Sequence, residues 1–365
     1  MGKGFVLGSV LRVILVGAIL FSFIPLSGGF FIEKAYDGIG EISIKGYHDI
    51  RAGSGVTEIK LLSDYLESLK GTNGDTQIFV LEGEKEGPTT LILGGTHGNE
   101  IAGISAAILL IERAQVEAGK LIIIPVANYS ASTNVDTMRP DVKEFTLMTP
   151  SGPRTFRYGA RRTNPVDQVY TNEPFVPYEG QVLPAEESGN LNRVYPGDPN
   201  GNLTQQVAYA IMEIIRNEKV DIAVDMHEAG PTNGLSYSLI CNPNVIDLCI
   251  YATLFRCEDY GFSMRTDFSS IESIGLSHRE WGDRTEVAAF LIETPNPGQE
   301  TEESYGKMDV VNDPIHPLGE RVGIQIYTII SIFDSYEHYN GKQTIINNLP
   351  TYEELFANGV GQYLN

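Results

Sequence analysis

The chain has 365 residues, of which 42% are hydrophobic and 20% are charged, so it can bury a large core and is not intrinsically disordered. Its 26 Lys and Arg residues against 47 Asp and Glu residues give a formal net charge of -21. Because so acidic a surface repels a phosphate backbone, we expect no nucleic-acid partner. The net charge does not restrict small substrates, which meet local charge.

The N-terminal stretch, residues 1–30, differs in composition from the rest of the chain. Lys3 and Arg12 are its only charged residues, and residues 13–26 are almost entirely apolar before several small residues follow. This order is typical of a secretory signal peptide, and residues 5–26 are also long enough for a tilted membrane anchor. Both alternatives predict an extracytoplasmic protein that is secreted, periplasmic or anchored. A buried core helix is the third interpretation.

Downstream, apolar runs of strand length alternate with runs of helical periodicity. Strands are predicted at residues 77–81, 89–93, 121–126, 220–226, 235–241 and 286–292, and helices at residues 59–69, 101–114, 203–216, 245–260 and 321–333. The order strand, helix, strand predicts parallel neighbours with right-handed crossovers, and therefore an α/β fold. Because no repeat or low-complexity linker interrupts the pattern, we predict one domain over residues 31–340, with residues 341–365 as a C-terminal extension packed on it.

Residues 128–202 break this alternation. They are rich in Pro, Gly, Asn, Thr and Arg and show little periodicity. A stretch of this length without regular elements usually carries function in a compact domain. Five arginines lie between positions 139 and 162, an excess in so acidic a protein. We therefore expect this segment to supply cations to a binding site.

The chain contains three cysteines, Cys241, Cys249 and Cys257. The last two fall eight residues apart on one predicted helix. That spacing separates them by about 12 Å along the axis, which is too far for a disulfide. Cys241 could pair with either of them in an oxidising compartment, and three buried free thiols are the alternative. The spacing does not indicate a metal site.

A histidine and a glutamate follow the predicted strand at residues 89–93. The chain continues through two glycines to His97 and Glu100 and then into an apolar helix. Open α/β folds place their binding sites at strand ends of this kind. One nitrogen and one carboxylate are ligands suited to zinc, so we interpret both residues as zinc ligands. A capping or surface role is the alternative for such a pair on its own.

A second histidine, His227, ends the predicted strand at residues 220–226, and Asp225 precedes it by two positions. His227 would complete a set of two histidines and one glutamate that leaves the fourth zinc position open, which is typical of catalytic rather than structural zinc. Asp225 could orient one of these ligands without touching the metal itself. The alternative for His227 is a hydrogen-bonded histidine at a strand end.

Two further motifs supply an acidic residue and a basic one. Glu293 closes the apolar strand at residues 286–292, where its carboxylate could take a proton from water and pass it to a leaving amine. Asn192 and Arg193 stand side by side, and arginine can grip a carboxylate with its two-pronged guanidinium. The alternative for Glu293 is a solvated carboxylate at a strand end. The alternative for Arg193 is a structural arginine that pairs with one of the many acidic residues.

The motifs G-x-H-G-N-E, N-x-N-R-x-Y-P-G, D-x-H and E-T occur in this order between residues 77 and 295. Together they resemble the zinc carboxypeptidase family, and most closely its succinylglutamate desuccinylase/aspartoacylase branch. The resemblance implies one zinc ion with the ligands His97, Glu100 and His227, Glu293 as the general base, and Asn192 and Arg193 as binders of a substrate carboxylate. It also implies a three-layer αβα fold with a mixed, mostly parallel central sheet of about eight strands.

The chain departs from the family pattern at three places. Asn190 stands where the family usually has an aspartate that orients the first zinc histidine, and a neutral amide would orient it less strongly. An additional arginine polarises the scissile carbonyl in the family, and Arg161 or Arg162 could do so here; we assign Arg162. The tyrosine that closes over substrate in the peptidases has no clear match, although Tyr260 and His278 lie in the corresponding region.

These residues predict a zinc-dependent hydrolase that cleaves the amide bond of an N-acyl amino acid, with the substrate carboxylate held by Asn192 and Arg193. Two alternatives stay open: an extracytoplasmic metallocarboxypeptidase acting on peptides or cell-wall peptides, and a non-catalytic binding protein on the same scaffold. The expected partner is a small acylated amino acid or peptide. Membrane contact is expected only through the N-terminal segment. The motifs do not distinguish among acyl groups.

Overall fold

The computed structural model describes residues 48–177, 181–306 and 308–365. The signal peptide or membrane anchor predicted at residues 1–30 lies outside these residues. Among the helices of the described ranges, none has both the length and the apolar character needed to span a bilayer.

The described residues form eleven strands and eight α-helices, joined by short 3₁₀ segments. The strands are β1 (Glu58–Leu61), β2 (Gln77–Glu82), β3 (Lys85–Leu93), β4 (Gln115–Ile124), β5 (Glu144–Thr149), β6 (Gly152–Arg157), β7 (Ile222–Ala229), β8 (Ser238–Cys241), β9 (Arg265–Phe268), β10 (Ala288–Pro295) and β11 (Ile345–Asn347). The helices are α1 (Ile101–Arg113), α2 (Tyr129–Thr133), α3 (Leu203–Asn217), α4 (Ile246–Tyr251), α5 (Ser277–Arg284), α6 (Glu302–Tyr305), α7 (Leu318–Asn340) and α8 (Tyr352–Asn358).

One large sheet organises the chain, with the strand order β1-β2-β4-β3-β7-β10-β8-β9 and with β11 paired to β4. The central strands β4, β3, β7 and β10 run parallel to one another, as do β8 and β9. The other neighbours are antiparallel. The mixed sheet predicted from the sequence is therefore confirmed. Because β3, β7 and β10 are adjacent and parallel, their carboxyl ends meet at one edge of the sheet.

Hydrophobic clusters on both faces of this sheet produce three layers. One cluster joins the sheet to α1 and α7 and includes Ile92 and Met226. The other joins the opposite face to α3 and to Trp281 of α5, and includes Leu93. Ile92 and Leu93 face opposite clusters because successive side chains of a strand alternate between its faces. The predicted αβα architecture follows from this division of the apolar residues.

The packing of α1 against β7 depends on the absence of a side chain at Gly103. A Cβ atom there would lie 2.7 Å from the Met226 carbonyl oxygen and 2.9 Å from the Met226 Cβ. We expect Gly103→Ala to destabilise the protein by about 1–3 kcal/mol, because the backbone contact outweighs a helix-propensity gain of about 1 kcal/mol. Gly234→Ala is the control, since a Cβ atom at that position would have no neighbour within 4 Å. Equal urea midpoints for the two variants would contradict this account of the packing.

Two predictions of local structure were wrong. Residues 59–69 do not form a helix: β1 pairs antiparallel with β2, and two short 3₁₀ turns follow. Pairing with the neighbouring strand overrides the helical spacing of the apolar residues. The segment 128–202 is also less irregular than expected, because β5 and β6 form an antiparallel hairpin in which Phe145 and Phe156 stack at 5.4 Å.

The three cysteines are free and buried in the described part of the chain. The predicted helix at residues 245–260 is present as α4 followed by a π-helical turn at Ala252–Cys257. The Cys249 thiol donates to the Leu239 carbonyl at 3.3 Å, so it is occupied by a backbone contact. The structure therefore has three buried free thiols and not the disulfide that was the other alternative.

The last residues of the chain contact the domain at three places. β11 adds an antiparallel strand to β4, with Asn347 opposite Gln115. α8 packs against α7, and Leu355 of α8 is fully buried. The Arg154 guanidinium reaches the carbonyl oxygen of Asn365 at 3.1 Å and so joins the β5–β6 hairpin to the chain end.

Candidate metal centre and active site

The loop between β3 and α1 carries the first two site residues. Gly95 follows β3 with a φ of +64°, in the left-handed region that glycine enters without strain. A Cβ at this position would lie 2.9 Å from the Cα of Val126. This tight turn places His97 and Glu100 at the edge of the sheet, where both are buried.

A single carboxylate faces two imidazoles at this edge. Glu100 Oε1 lies 2.7 Å from His97 Nδ1, and Glu100 Oε2 lies 2.8 Å from His227 Nδ1. His227 comes from β7, the strand next to β3. One ligand atom from each of these three buried residues lies within 4.8 Å of the other two. The structure therefore brings together the three residues interpreted as metal ligands.

A side-chain oxygen lies close to the far nitrogen of each imidazole. His97 Nε2 lies 2.9 Å from Asn190 Oδ1, and His227 Nε2 lies 2.9 Å from Asp225 Oδ2. The Thr96 hydroxyl in turn donates to Asp225 Oδ1 at 2.7 Å. In the neutral form of His97, the Nε2–H donates to Asn190 Oδ1, and Nδ1 keeps a lone pair directed toward Glu100.

The charges around the two imidazoles fit a bound cation. Burial lowers the pKa of His97 to about 4, so this ring is neutral at pH 7. Burial also opposes protonation of His227, but Asp225 and Glu100 outweigh it and raise the pKa of His227 well above its usual value. A positive charge is thus favoured between these groups, and a divalent cation can supply it in place of the proton. Two nitrogens and one carboxylate are a donor set that suits zinc and leaves a position open.

Glu293 lies beside this donor set on β10. It is the register neighbour of His227, so both side chains leave the same face of the sheet. Its Oε2 atom is buried and has no hydrogen-bond partner among the described residues. Burial raises the pKa of Glu293 to about 8, and a bound cation would lower it again. The free carboxylate oxygen is available to accept a proton.

A cavity of about 530 Å³ opens over these groups, a size typical of small-molecule sites. Asn192 and Arg193 line it together with the metal-site residues. Asn192 is held in place, because its Oδ1 accepts the Ser277 N–H at 2.8 Å and its Nδ2 lies 3.4 Å from His227 Nε2. Arg193 Nη1 donates to the Asn192 carbonyl at 2.6 Å, which leaves other guanidinium N–H groups for a ligand.

The structure corrects the assignment of Arg162 to the substrate. Arg162 Nε donates to Glu187 Oε1 at 3.0 Å, and Arg162 does not line the cavity. Its neighbour Arg161 lines the cavity instead, with Nη1 4.0 Å from Glu100 Oε1. The ion pair with Glu187 turns the two adjacent side chains in different directions, which the sequence could not reveal.

Two contacts that support the metal-site residues were not foreseen from the sequence. Gln299, after β10, donates from Nε2 to Glu100 Oε1 at 3.2 Å and to the Glu228 carbonyl at 2.8 Å. Behind β7, Gln325 of α7 donates to the His227 carbonyl at 2.8 Å. These amides fix Glu100 and the strand that carries His227. No sequence motif marks either glutamine, because both act from elements remote from the strand-end histidines.

The two candidates for the missing tyrosine lie in different places. The Tyr260 hydroxyl donates to Asp334 at 2.9 Å, and its ring packs on Tyr327 at 5.0 Å, so it does not line the cavity. His278 does line the cavity, and neither of its ring nitrogens has a hydrogen-bond partner within the described ranges. Burial lowers the pKa of His278 to about 3, so this ring is neutral.

Comparison with known proteins gives one relative by sequence. An N-alpha-acetyl-L-2,4-diaminobutyric acid deacetylase of Halomonas elongata is 30% identical over 149 residues, which cover 40% of this chain and 30% of the relative. The match therefore spans about a third of the relative's length. No family model matches the chain.

Two solved structures illustrate the similarity in fold. A succinylglutamate desuccinylase from Silicibacter sp. is 20% identical, with a TM-score of 0.44 over 76% of this chain and 64% of that one. The tripeptide-bound cell shape determinant Csd4 of Helicobacter pylori is 11% identical, with a TM-score of 0.46 over 77% of this chain and 59% of that one. At such values these structures carry no argument about activity. The names of these similar proteins agree with the resemblance predicted from the motifs: the chain is similar to a deacetylase over part of its length and to solved structures named as succinylglutamate desuccinylases.

Proposed function

We propose that this protein is a zinc-dependent hydrolase that cleaves the amide bond of an N-acyl amino acid. The observation that carries the proposal is the convergence of His97, Glu100 and His227 beside the free carboxylate oxygen of Glu293. A pure binding site needs no such base. The name of the Halomonas elongata relative, which describes an acetylated amino acid as substrate, supports the same choice of substrate class.

Each functional residue of the cavity has its own role in the proposed reaction. A zinc ion at this centre would polarise the amide carbonyl and lower the pKa of a water molecule. Glu293 accepts a proton from a water molecule as the water oxygen adds to the carbonyl carbon, and then gives the proton to the nitrogen as the C–N bond breaks. Arg161 stabilises the negative charge that develops on the carbonyl oxygen. The products are a carboxylic acid and a free amine.

Arg193 and Asn192 hold the carboxylate of the amino acid during this reaction. Arginine binds a carboxylate through two parallel N–H donors, which fixes orientation as well as position. The position of Arg193 on the cavity wall, together with its short contact to the Asn192 carbonyl, keeps the guanidinium close to the metal-site residues. The amide to be cleaved is thereby directed toward Glu293.

We expect Arg193→Gln to raise KM for N-acyl amino acids by about 10- to 100-fold, because a charged hydrogen bond contributes about 1.5–3 kcal/mol. The same variant should hydrolyse the matching methyl esters of these amino acids as the wild type does, since they carry no free carboxylate. Arg216→Gln, on the outer surface of α3, is the control for removing a positive charge. An equal loss on both substrate types would contradict carboxylate recognition by Arg193.

A substrate screen tests the function itself. The full chain, loaded with zinc, is incubated with acetyl- and succinyl-amino acids and with short peptides, and released amines are measured with and without a chelator. We expect chelator-sensitive release of amino acids from the acylated substrates. Release only of C-terminal residues from peptides would replace the proposal with a carboxypeptidase. Absence of any release would contradict hydrolase function.

A further inference from the structure

A chain of polar contacts extends from the first metal-site histidine to a carboxylate outside the cavity. His97 Nε2 meets Asn190 Oδ1 at 2.9 Å, and Asn190 Nδ2 donates to Glu187 Oε2 at 2.8 Å. Asn190 is fully buried, and Glu187 does not line the cavity. The contacts therefore connect His97 to an acidic residue that neither metal nor substrate would touch.

The backbone fixes the direction of every bond in this chain. Asn190 Oδ1 also lies 3.1 Å from the backbone nitrogen of Asn192, which can only donate. Oδ1 is therefore the acceptor atom of the amide, and Nδ2 is the donor that meets Glu187. His97 must then donate from Nε2, which leaves the lone pair on Nδ1, the atom that faces Glu100.

Glu187 remains ionised because arginines surround it. Burial raises its pKa, but hydrogen bonds from Arg162 and Asn190 outweigh burial and lower the pKa of Glu187 below its usual value. Arg193 Nε approaches Glu187 Oε2 at 3.9 Å from the cavity side. A full negative charge thus stands one amide group away from His97.

We propose that Glu187 is a positioning residue for the metal ligand His97 and that it acts through Asn190. A carboxylate that accepts from Nδ2 polarises the amide, so that Oδ1 becomes a stronger acceptor for the histidine N–H. A stronger acceptor at Nε2 orients the ring and raises the basicity of Nδ1 toward a metal ion. The pair Asn190 and Glu187 thereby replaces a single aspartate. This inference rests on the metal-binding part of the proposed function.

The test measures zinc affinity of the full chain by competition with a chromophoric chelator, without substrate. Glu187→Gln keeps the shape but removes the charge and one of the two accepting oxygens, and we expect zinc affinity to fall by about 10- to 100-fold. Adding Asn190→Asp to this variant restores a charge directly at His97 and should recover most of the lost affinity. Glu213→Gln, in a surface ion pair with Arg216, should leave zinc affinity unchanged.

A second variant separates this role from a purely structural one. Arg162→Lys changes the ion-pair partner of Glu187 but keeps a positive charge beside it, so Glu187 should stay ionised and zinc affinity should stay close to that of the wild type. Equal losses in Glu187→Gln and Arg162→Lys would overturn the proposal, as would a failure of Asn190→Asp to recover affinity in folded protein. A wild type that binds zinc but hydrolyses no amide would contradict the proposed function while leaving this result intact.

Discussion

Replacing Glu293 with glutamine is expected to lower kcat for amide hydrolysis by about 100- to 10,000-fold, the range supplied by a positioned general base. The glutamine has nearly the same shape but cannot accept the proton of the attacking water. Because Glu293 is not among the three residues that form the candidate metal site, zinc should remain bound at the wild-type ratio. Steady-state kinetics and metal analysis of the same sample measure both effects.

The control for this variant is Glu286→Gln, which changes an exposed carboxylate shortly before β10. We expect it to have wild-type kcat and wild-type zinc content. Retained turnover in Glu293→Gln would exclude Glu293 as the base. Loss of zinc from Glu293→Gln would also contradict the account, since it would make this residue a ligand.

Removal of the metal ion is expected to abolish hydrolysis and added zinc to restore it. The same loss should follow His227→Ala, with zinc affinity lowered by more than about 100-fold, because even residues that only hydrogen-bond to a metal ligand contribute about 10- to 100-fold. Asp225 and Glu100 both face this ring, so the variant leaves two carboxylates without the positive charge between them. Zinc titration and initial rates measure the two effects.

Thermal unfolding of each sample shows whether His227→Ala is folded. His338→Ala, which removes an exposed histidine near the end of α7, is the matched control and should keep both zinc and activity. Chelation of the wild type needs no substitution, so it tests the role of the metal even if His227→Ala does not fold. Activity that survives complete zinc removal would contradict the proposed chemistry.

The sequence predicts the core of the site because its residues sit at strand ends. His227 and Glu293 each follow or close an apolar run, and His97 follows another after two glycines. In the structure these runs are β3, β7 and β10, which are adjacent and parallel. The meeting of their ends can therefore be predicted without knowledge of the loops, since adjacent parallel strands end at one edge of the sheet.

The supporting residues could not be predicted in the same way. Glu187 lies in a 3₁₀ turn at Ala185–Gly189, where no hydrophobic periodicity indicates the direction of a side chain. Its ion pair holds Arg162 away from the cavity, and Arg161 lines the cavity instead. Gln299 likewise reaches Glu100 from a short 3₁₀ turn after β10. These contacts depend on tertiary packing of irregular segments, which a local pattern does not encode.

The role of Asn190 depends on a second residue that the sequence pattern does not indicate. The sequence indicates a neutral amide where the family has an aspartate, and on its own this predicts weaker orientation of His97. The structure places Glu187 behind the amide at 2.8 Å, so a negative charge is present but one group further away. The two positions are only three apart along the chain, yet it is the folded turn that makes their side chains meet.

Zinc stoichiometry of the purified full chain tests the central claim most directly. The protein is stripped with a chelator, titrated with zinc and analysed by mass spectrometry under native conditions, beside a variant in which His97 and His227 are both alanine. We predict one zinc ion per wild-type chain and none retained by the double variant. A wild type that binds no zinc, or a double variant that still retains one ion per chain, would contradict the proposed metal centre.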